Sequence, residues 1–532
     1  MPCSTNRHIP MSPQPRPDDN PQATHMSDTS ATRTTHGQIT PTSPVRSHLS
    51  RRIPRAVACV LGLAAAAVYT AISLVQWGLM ETPSWDLAIF TQALKQYAGL
   101  APPVVNIKGY GFNLLGDHFH PILVLLAPLY ALLPSGLTLM VVQDLLLALA
   151  VGVFAWYGTR YLGVVRGACL ALGFAASFGV LEAIRVQFHE VAFAVPLMAL
   201  ALCSVATGRL RAALLWAAPL VFVKEDLGVT AAMVGVLVVA RYIRDGGLGI
   251  RSGRMTYRRA IGSPLVVQGI GLIVWGLSWS ATAVFLILPA LNPRGHFDYG
   301  GSVDVWGALA DPLQALGLMF FPWAKSQTLL LLAVTGALVF LRSPVVWVGV
   351  PTLVWRFLSD NPGYWEPTWH YNLVLMPVVF AAVFDAALRV RPIRATSVAR
   401  AVERMTAAGP VLAAGIAVVL VAGSTASPLL SPDQSRSPGS IAAKQEALRR
   451  IPQGASVASD LSVLTYLVPD HDVRWIGHRS DPAPDYLVLD RTTGTWNGAG
   501  TEELEATAAS MYGGRYAALQ DDHGVVVLER RR

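Results

Sequence analysis

Apolar stretches of about 18 or more residues recur through the middle of this chain, the length needed to cross a hydrocarbon core of about 30 Å. They include residues 56–79, 137–156, 261–289 and 410–426. Lipid offers no partners to backbone N–H and C=O groups, so such stretches have to close their hydrogen bonds internally as helices. Composition agrees: charged residues make up 14% of the chain, against roughly 25% in soluble domains. The expected fold is an all-α polytopic membrane protein.

The net charge of +8 is not a nucleic-acid footprint, because much of the arginine sits in short clusters beside apolar segments and reads as a topology signal. The cysteines Cys3, Cys59, Cys169 and Cys203 show no C-x-x-C spacing, which excludes a recognisable zinc or disulfide framework. Residues 1–50 are rich in Pro, Ser, Thr and His and poor in large aliphatics, and read as a disordered cytoplasmic tail. The first apolar segment starts too late and runs too long for a cleaved signal peptide, so it is expected to stay as an anchor.

Arginine clusters at 51–55, 160–166, 241–259 and 389–404 fix an orientation when all are placed on the cytoplasmic side. That placement gives about eleven crossings, near 53–80, 137–158, 164–182, 190–207, 211–223, 227–242, 261–290, 326–341, 344–358, 372–390 and 408–428. Parity requires the short apolar stretch 121–133 to be re-entrant or interfacial. The segments 81–135, 182–190, 224–226, 292–325 and 359–372 then face outward and hold most unusual polar residues. The transmembrane domain covers 51–428, with a long first outer loop at 81–136. A Ser/Pro-rich linker (429–440) follows, and 441–532 reads as a small extracytoplasmic α/β domain with strands near 456–458, 472–476, 485–490 and 524–529 and helices at 441–450 and 502–512.

Ionisable groups at the mouths of membrane helices are costly unless paired or hydrated, which makes them functional candidates. The first outer loop offers Asp86, either the N-cap or a first-turn residue of an interfacial helix over 86–97, and then Asp117, His118 and His120. Glu182, Arg185, His189 and Glu190 follow at one mouth, and Lys224, Glu225 and Asp226 at another, where the turn is too short to solvate three charges and a salt-bridge staple is the alternative. His118, His120, His189 and Glu190 have donor types that suit a divalent metal, although H-x-H alone is a weak signal and no ligand set is assigned.

The ordered series W-D-L-A-I-F-T-Q-A-L, G-D-H-F-H-P, A-P-L-Y-A-L-L-P, Q-F-H-E and V-K-E-D-L-G resembles domain-of-unknown-function family 2079, bacterial polytopic membrane proteins grouped with the GT-C glycosyltransferases. The resemblance runs from about residue 77 to 490, and departs where relatives tend to carry Phe-His-Pro and this chain has Phe188-His189-Glu190. It implies a GT-C-like fold in the bacterial inner membrane, with the N-terminus cytoplasmic and the C-terminal domain outside. It also implies transfer of a sugar from a polyprenyl-phosphate donor to an envelope glycan, lipid or protein acceptor, with Asp86 in the place of the essential acid, as base or metal ligand. A carboxylate base and cations for the departing phosphate are what that chemistry needs. Asp86 is therefore the expected base, with Lys224, Arg185 and His118 on the phosphate, Glu225 and Asp226 orienting Lys224, and Asp117, His120 and His189 as further substrate contacts. No cofactor is identified beyond a candidate divalent metal. Partners are the lipid-linked donor, membrane lipid and the acceptor. A transporter or flippase, or a non-catalytic envelope scaffold, is the alternative; against transport, no internal repeat is evident and the charges sit at helix ends.

Overall fold

The computed structural model describes residues 44–245, 262–301, 303–390, 396–422, 438–492 and 496–531. The stretch 1–43, most of the arginine loop after Asp245, residues 391–395 and the linker to residue 437 lie outside the described residues. Helix α1 (Pro44–Gly78) begins inside the stretch read from sequence as a tail.

Among the described residues seven helices are long and apolar enough to cross a membrane, and an eighth span arises if Pro312–Leu318 and Trp323–Thr335, bent by 71°, count as one. The shorter apolar helices Glu190–Ala206, Leu210–Phe222 and Pro344–Leu358 occupy the three remaining positions of the eleven read from sequence. At 1.5 Å per residue these cover only roughly 20 to 26 Å, which is why length alone does not make them spans. The fourth short segment, Pro121–Leu132, is the one that parity excludes. Helix His370–Leu388 is buried over 89% of its apolar stretch and is the centre of the bundle, whereas α1 and Pro264–Leu291, each at 17%, form its rim.

After α1 come α2 (Trp85–Ala98), α3 (Ala127–Leu132), α4 (Gly136–Leu162), α5 (Val164–Ala175), α6 (Phe178–Arg185), α7 (Ala194–Ala206), α8 (Leu210–Ala217) and α9 (Leu227–Arg244). The turn before α9 is held by a close helix crossing: a Cβ on Gly276 would lie 2.1 Å from the Gly228 carbonyl oxygen, so only small residues let the backbones meet. One turn further along, Ser280 donates to the Glu225 carbonyl at 2.6 Å.

The C-terminal residues form a five-stranded sheet in the order β2-β1-β3-β5-β4 (β1 Ser456–Ser459, β2 Asp472–Trp475, β3 Tyr486–Asp490, β4 Arg515–Asp522, β5 Val525–Arg531). β1 pairs parallel with β2 and β3, and β5 antiparallel with β3 and β4. β4 is absent from the sequence reading because its burial does not alternate cleanly, with only Tyr516 and Gln520 fully inside.

This sheet domain docks on the first loop. Leu87–Leu94 of α2 are all buried, in one core with Val457, Leu464, Leu467, Val473 and Val488. The sequence placed α2 at the membrane interface with one apolar face; instead the sheet domain covers it, so it is enclosed all round. Gln92 stitches the layers, donating to the Val473 carbonyl at 2.9 Å and accepting from the Ile107 N–H at 3.0 Å. Lys95 donates to the Val468 and His471 carbonyls at 2.8 and 2.9 Å, and Trp85 meets Trp475 edge-on.

Candidate active site

A cavity of about 170 Å³ opens where the first loop, the mouths of α7 and α9 and the segments around Tyr299 and Tyr371 converge. Asp86 reaches it from the first turn of α2. Ser84, not Asp86, is the N-cap, its Oγ accepting from the Leu87 N–H at 3.2 Å. Capping is thereby satisfied without Asp86, whose side chain remains 46% exposed and meets His189 Nε2 at 3.2 Å.

His189 is held rigidly. Its N–H donates to Gln143 Oε1 at 3.0 Å, Gln143 Nε2 ties down the Ala183 and Gln187 carbonyls, and the ring stacks on His370 at 3.5 Å. Nδ1 lies 3.0 Å from the Gln187 carbonyl. A carbonyl only accepts, so Nδ1 is the ring nitrogen that donates there, which turns Nε2 toward Asp86. Burial works to raise the Asp86 pKa, but the hydrogen bond and charge of His189, with Lys224 and Lys108, outweigh it and lower it. Asp86 is held as a carboxylate.

A second group forms opposite. Lys108 meets Asp117 at 2.6 Å, Tyr299 donates to the other Asp117 oxygen at 3.1 Å, and the Tyr299 ring stacks on His118. Burial pushes the Asp117 pKa up, but His118, Lys108 and Tyr299 together bring it down to about 2. His118 Nδ1 sits 2.7 Å from Glu225 Oε1, and Glu225 Oε2 accepts from the Phe119 N–H at 2.9 Å. Burial and Lys224 lower the His118 pKa while Glu225 and Asp117 raise it, with a net rise. For Glu225 burial is overcome by His118 and Lys224, which hold it ionised.

Lys224 pairs with Glu190 at 2.8 Å, the exposures being 12% and 2%. Burial disfavours its charge, but Glu190, Glu225, Tyr371 and Asp226 raise its pKa well above the ordinary value. Lys108 and Lys224 each make one ion pair, which leaves N–H donors for a ligand. His120 is fully buried, lines the cavity, and has no hydrogen-bond partner at either ring nitrogen among the described residues. Burial above all brings its pKa down to about 4, leaving a neutral imidazole with donor and acceptor both open.

Two expectations need correction. Arg185 does not line the cavity: it is anchored by Glu182 at 2.7 Å and by the Thr368 carbonyl, and so braces a loop. Glu225 and Asp226 do not orient Lys224 by direct contact. Glu225 turns to His118, and Asp226 lies off the cavity with a buried, unpartnered Oδ1 and a pKa raised by burial to about 6. Consecutive residues in a tight turn point in different directions, so adjacency did not make a unit. Of the metal-donor candidates, His118, His189 and Glu190 go to separate partners, and among the described residues no three His, Cys, Asp or Glu side chains are grouped to hold an ion.

The cavity also contains residues that the sequence alone did not single out: Lys108, Tyr299, Asn361, Tyr364, His370 and Tyr371. Four of these, Asn361, Tyr364, His370 and Tyr371, fall in the segment 359–372, whose carboxylates Asp360 and Glu366 are not among the residues lining the cavity.

The family model of predicted membrane proteins, DUF2079, matches residues 77–527. The chain belongs to this family. The match begins at the end of α1, takes in every residue of the cavity, and runs into β5, so cavity and sheet domain form one unit of the DUF2079 family. No curated protein matches the chain. Among solved structures it is similar to ArnT from Cupriavidus metallidurans, crystallised bound to undecaprenyl phosphate. The two share 14% identity over 87% of this chain and 97% of that one, with a TM-score of 0.44.

Proposed function

We propose that this membrane protein is a glycosyltransferase of the GT-C type, moving a sugar from a polyprenyl-phosphate donor to an acceptor hydroxyl on the extracytoplasmic face of the inner membrane. The observation that carries the reading is one cavity facing an ionised, half-exposed carboxylate, Asp86, and two lysines with spare donors, Lys108 and Lys224. Asp86 takes the acceptor proton as the hydroxyl oxygen attacks the anomeric carbon, and the bond from that carbon to the phosphate oxygen breaks with inversion. Lys224, Lys108 and His118 neutralise the phosphate that departs, as preorganised donors aimed at the charge that develops there. His120, with both ring nitrogens open, is placed to hydrogen-bond a sugar hydroxyl or a phosphate oxygen. The arginine distribution supports putting this end of the bundle outside.

The test is mass spectrometry of lipid extracts from a strain lacking the protein. One polyprenyl-phosphate sugar is expected to accumulate, to disappear when the wild-type chain is restored, and to persist with Asp86→Asn. An unchanged lipid profile, with no transfer from polyprenyl-phosphate sugars in membranes carrying the chain, overturns the reading.

A further inference from the structure

A second, apolar groove of about 810 Å³ lies between α1, α4, α7 and α8. Its floor is the α1–α4 crossing, where Cβ atoms on Gly62 and Gly152 would each sit 3.5 Å from a carbonyl oxygen of the opposite helix. Leu63 and Leu149 stand on its walls, 72% and 54% exposed, so nothing among the described residues fills it. It lies at the far end of the bundle from the cavity, since Arg55 is about 35 Å along α1 from Gly78 at 1.5 Å per residue.

One end of the groove differs from the rest. Arg55 and Arg209 are both exposed there and make no ion pair among the described residues, and the Arg209 guanidinium lies over the Trp156 ring, 6.0 Å from its centroid. Trp216 lines the groove about two turns further along α8. Tryptophan and arginine together mark the boundary between hydrocarbon and headgroups. From Arg55 to Ala66 the groove runs about 16 Å along α1, close to half of a hydrocarbon core of about 30 Å, which is one leaflet.

We propose that this groove is a binding site for an anionic glycerophospholipid, with an acyl chain along α1 and α4 and the headgroup phosphate on Arg55 and Arg209. Guanidinium groups match phosphate oxygens in a fork geometry. The groove has no acidic side chain among its lining residues, so a second copy seated groove against groove would bring four guanidiniums together without counter-charge. In the arginine-based orientation this is the cytoplasmic leaflet, where anionic lipid concentrates.

Native mass spectrometry of the full-length protein, titrated separately with dioleoylphosphatidylglycerol, dioleoylphosphatidylcholine and a long-chain polyprenyl phosphate, tests it. One phosphatidylglycerol is expected to bind with a preference over phosphatidylcholine on the order of tenfold, from two arginines near the surface. The double variant Arg55→Gln/Arg209→Gln is expected to lose that preference. Ala66→Phe, which fills the inner end and leaves the arginines in place, should weaken retention of both diacyl lipids. Equal retention of the two, a preference that survives in the double variant, or displacement by polyprenyl phosphate at equal concentration overturns the proposal. Cross-linking of two chains through Cys59, which is exposed and lines the groove, overturns it in favour of a dimer.

Discussion

The Lys224–Glu190 pair allows fold and function to be separated. Its members lie 2.8 Å apart and are largely enclosed, so truncating either strands a charge that is poorly solvated. Breaking a buried pair in this way costs about 3–5 kcal/mol, whereas replacing both partners with apolar side chains of similar volume is often neutral or stabilising. Lys224→Ala and Glu190→Ala should therefore each lower the thermal stability of the detergent-solubilised protein. Lys224→Met/Glu190→Leu should recover most of the loss. Transfer of sugar should stay absent in the double variant, because the cation that meets the departing phosphate is gone. A double variant with restored stability and wild-type transfer would reduce Lys224 to a staple. Singles as stable as wild type would show that the pair is hydrated, and the whole estimate would fail.

Asp86→Asn should cut transfer by about 10²–10⁴-fold at unchanged protein level and stability, the usual contribution of a general base, because Ser84 and not Asp86 caps α2. Ser84→Ala should do the reverse, costing about 0.5–2 kcal/mol of stability with the carboxylate still present; equal activity losses in the two variants would refute the separation. Asp117, lowered from 3.8 to about 2, contributes about 2 kcal/mol that is present above its unfolded pKa and lost as pH falls through the folded one; thermal unfolding at pH 5 and pH 2.5 should show this acid sensitivity shrinking in Asp117→Asn. His118 has a raised pKa, so its charge is retained to higher pH and lost as pH rises through the folded value; Glu225→Gln removes that support and should move the alkaline limb of the transfer profile to lower pH, and an unmoved limb would discount His118. Gln92→Leu leaves the Val473 carbonyl and the Ile107 N–H unpaired, at about 1–3 kcal/mol each, and should make the sheet domain more open to proteolysis.

Much of the membrane body was legible because a bilayer imposes one rule on every span: apolar, about twenty residues, backbone satisfied internally. That rule located α1, α4, α9 and the central helix His370–Leu388 within a few residues. It gave less where length is short. Leu210–Phe222 and Pro344–Leu358 read as crossings on parity, a global argument about charge, since neither has the length of a local one. In the sheet domain, alternation found β1, β2, β3 and β5, and failed at β4, an edge strand whose partner on one side is missing and whose side chains are mostly half-exposed. The position of α2 was not legible at all. Its pattern of Ile89, Phe90, Ala93 and Leu94 marks one apolar face, but Leu87, Ala88, Thr91 and Gln92 are buried too, by a domain more than three hundred residues later in the chain.

The same division between local and long-range information runs through the site. The residue types that enter the cavity were readable because charge beside a membrane is conspicuous: Asp86, Asp117, His118, His120, His189 and Lys224 all line it. Their pairings were not, since each is made across the chain. Asp86 finds His189, His118 finds Glu225, Lys224 finds Glu190, and Asp117 finds Tyr299. Those distant partners decide what each group can do. Asp86 is available as a base only because Ser84 has taken the cap and His189 holds the carboxylate ionised. Glu190 is the counter-charge of Lys224, so a neutral residue there would require another acid or a less buried lysine. Exchanging Glu190 for glutamine should thus behave as an unpaired Lys224, and its rescue by Lys224→Met would show that the two positions are coupled through this one contact.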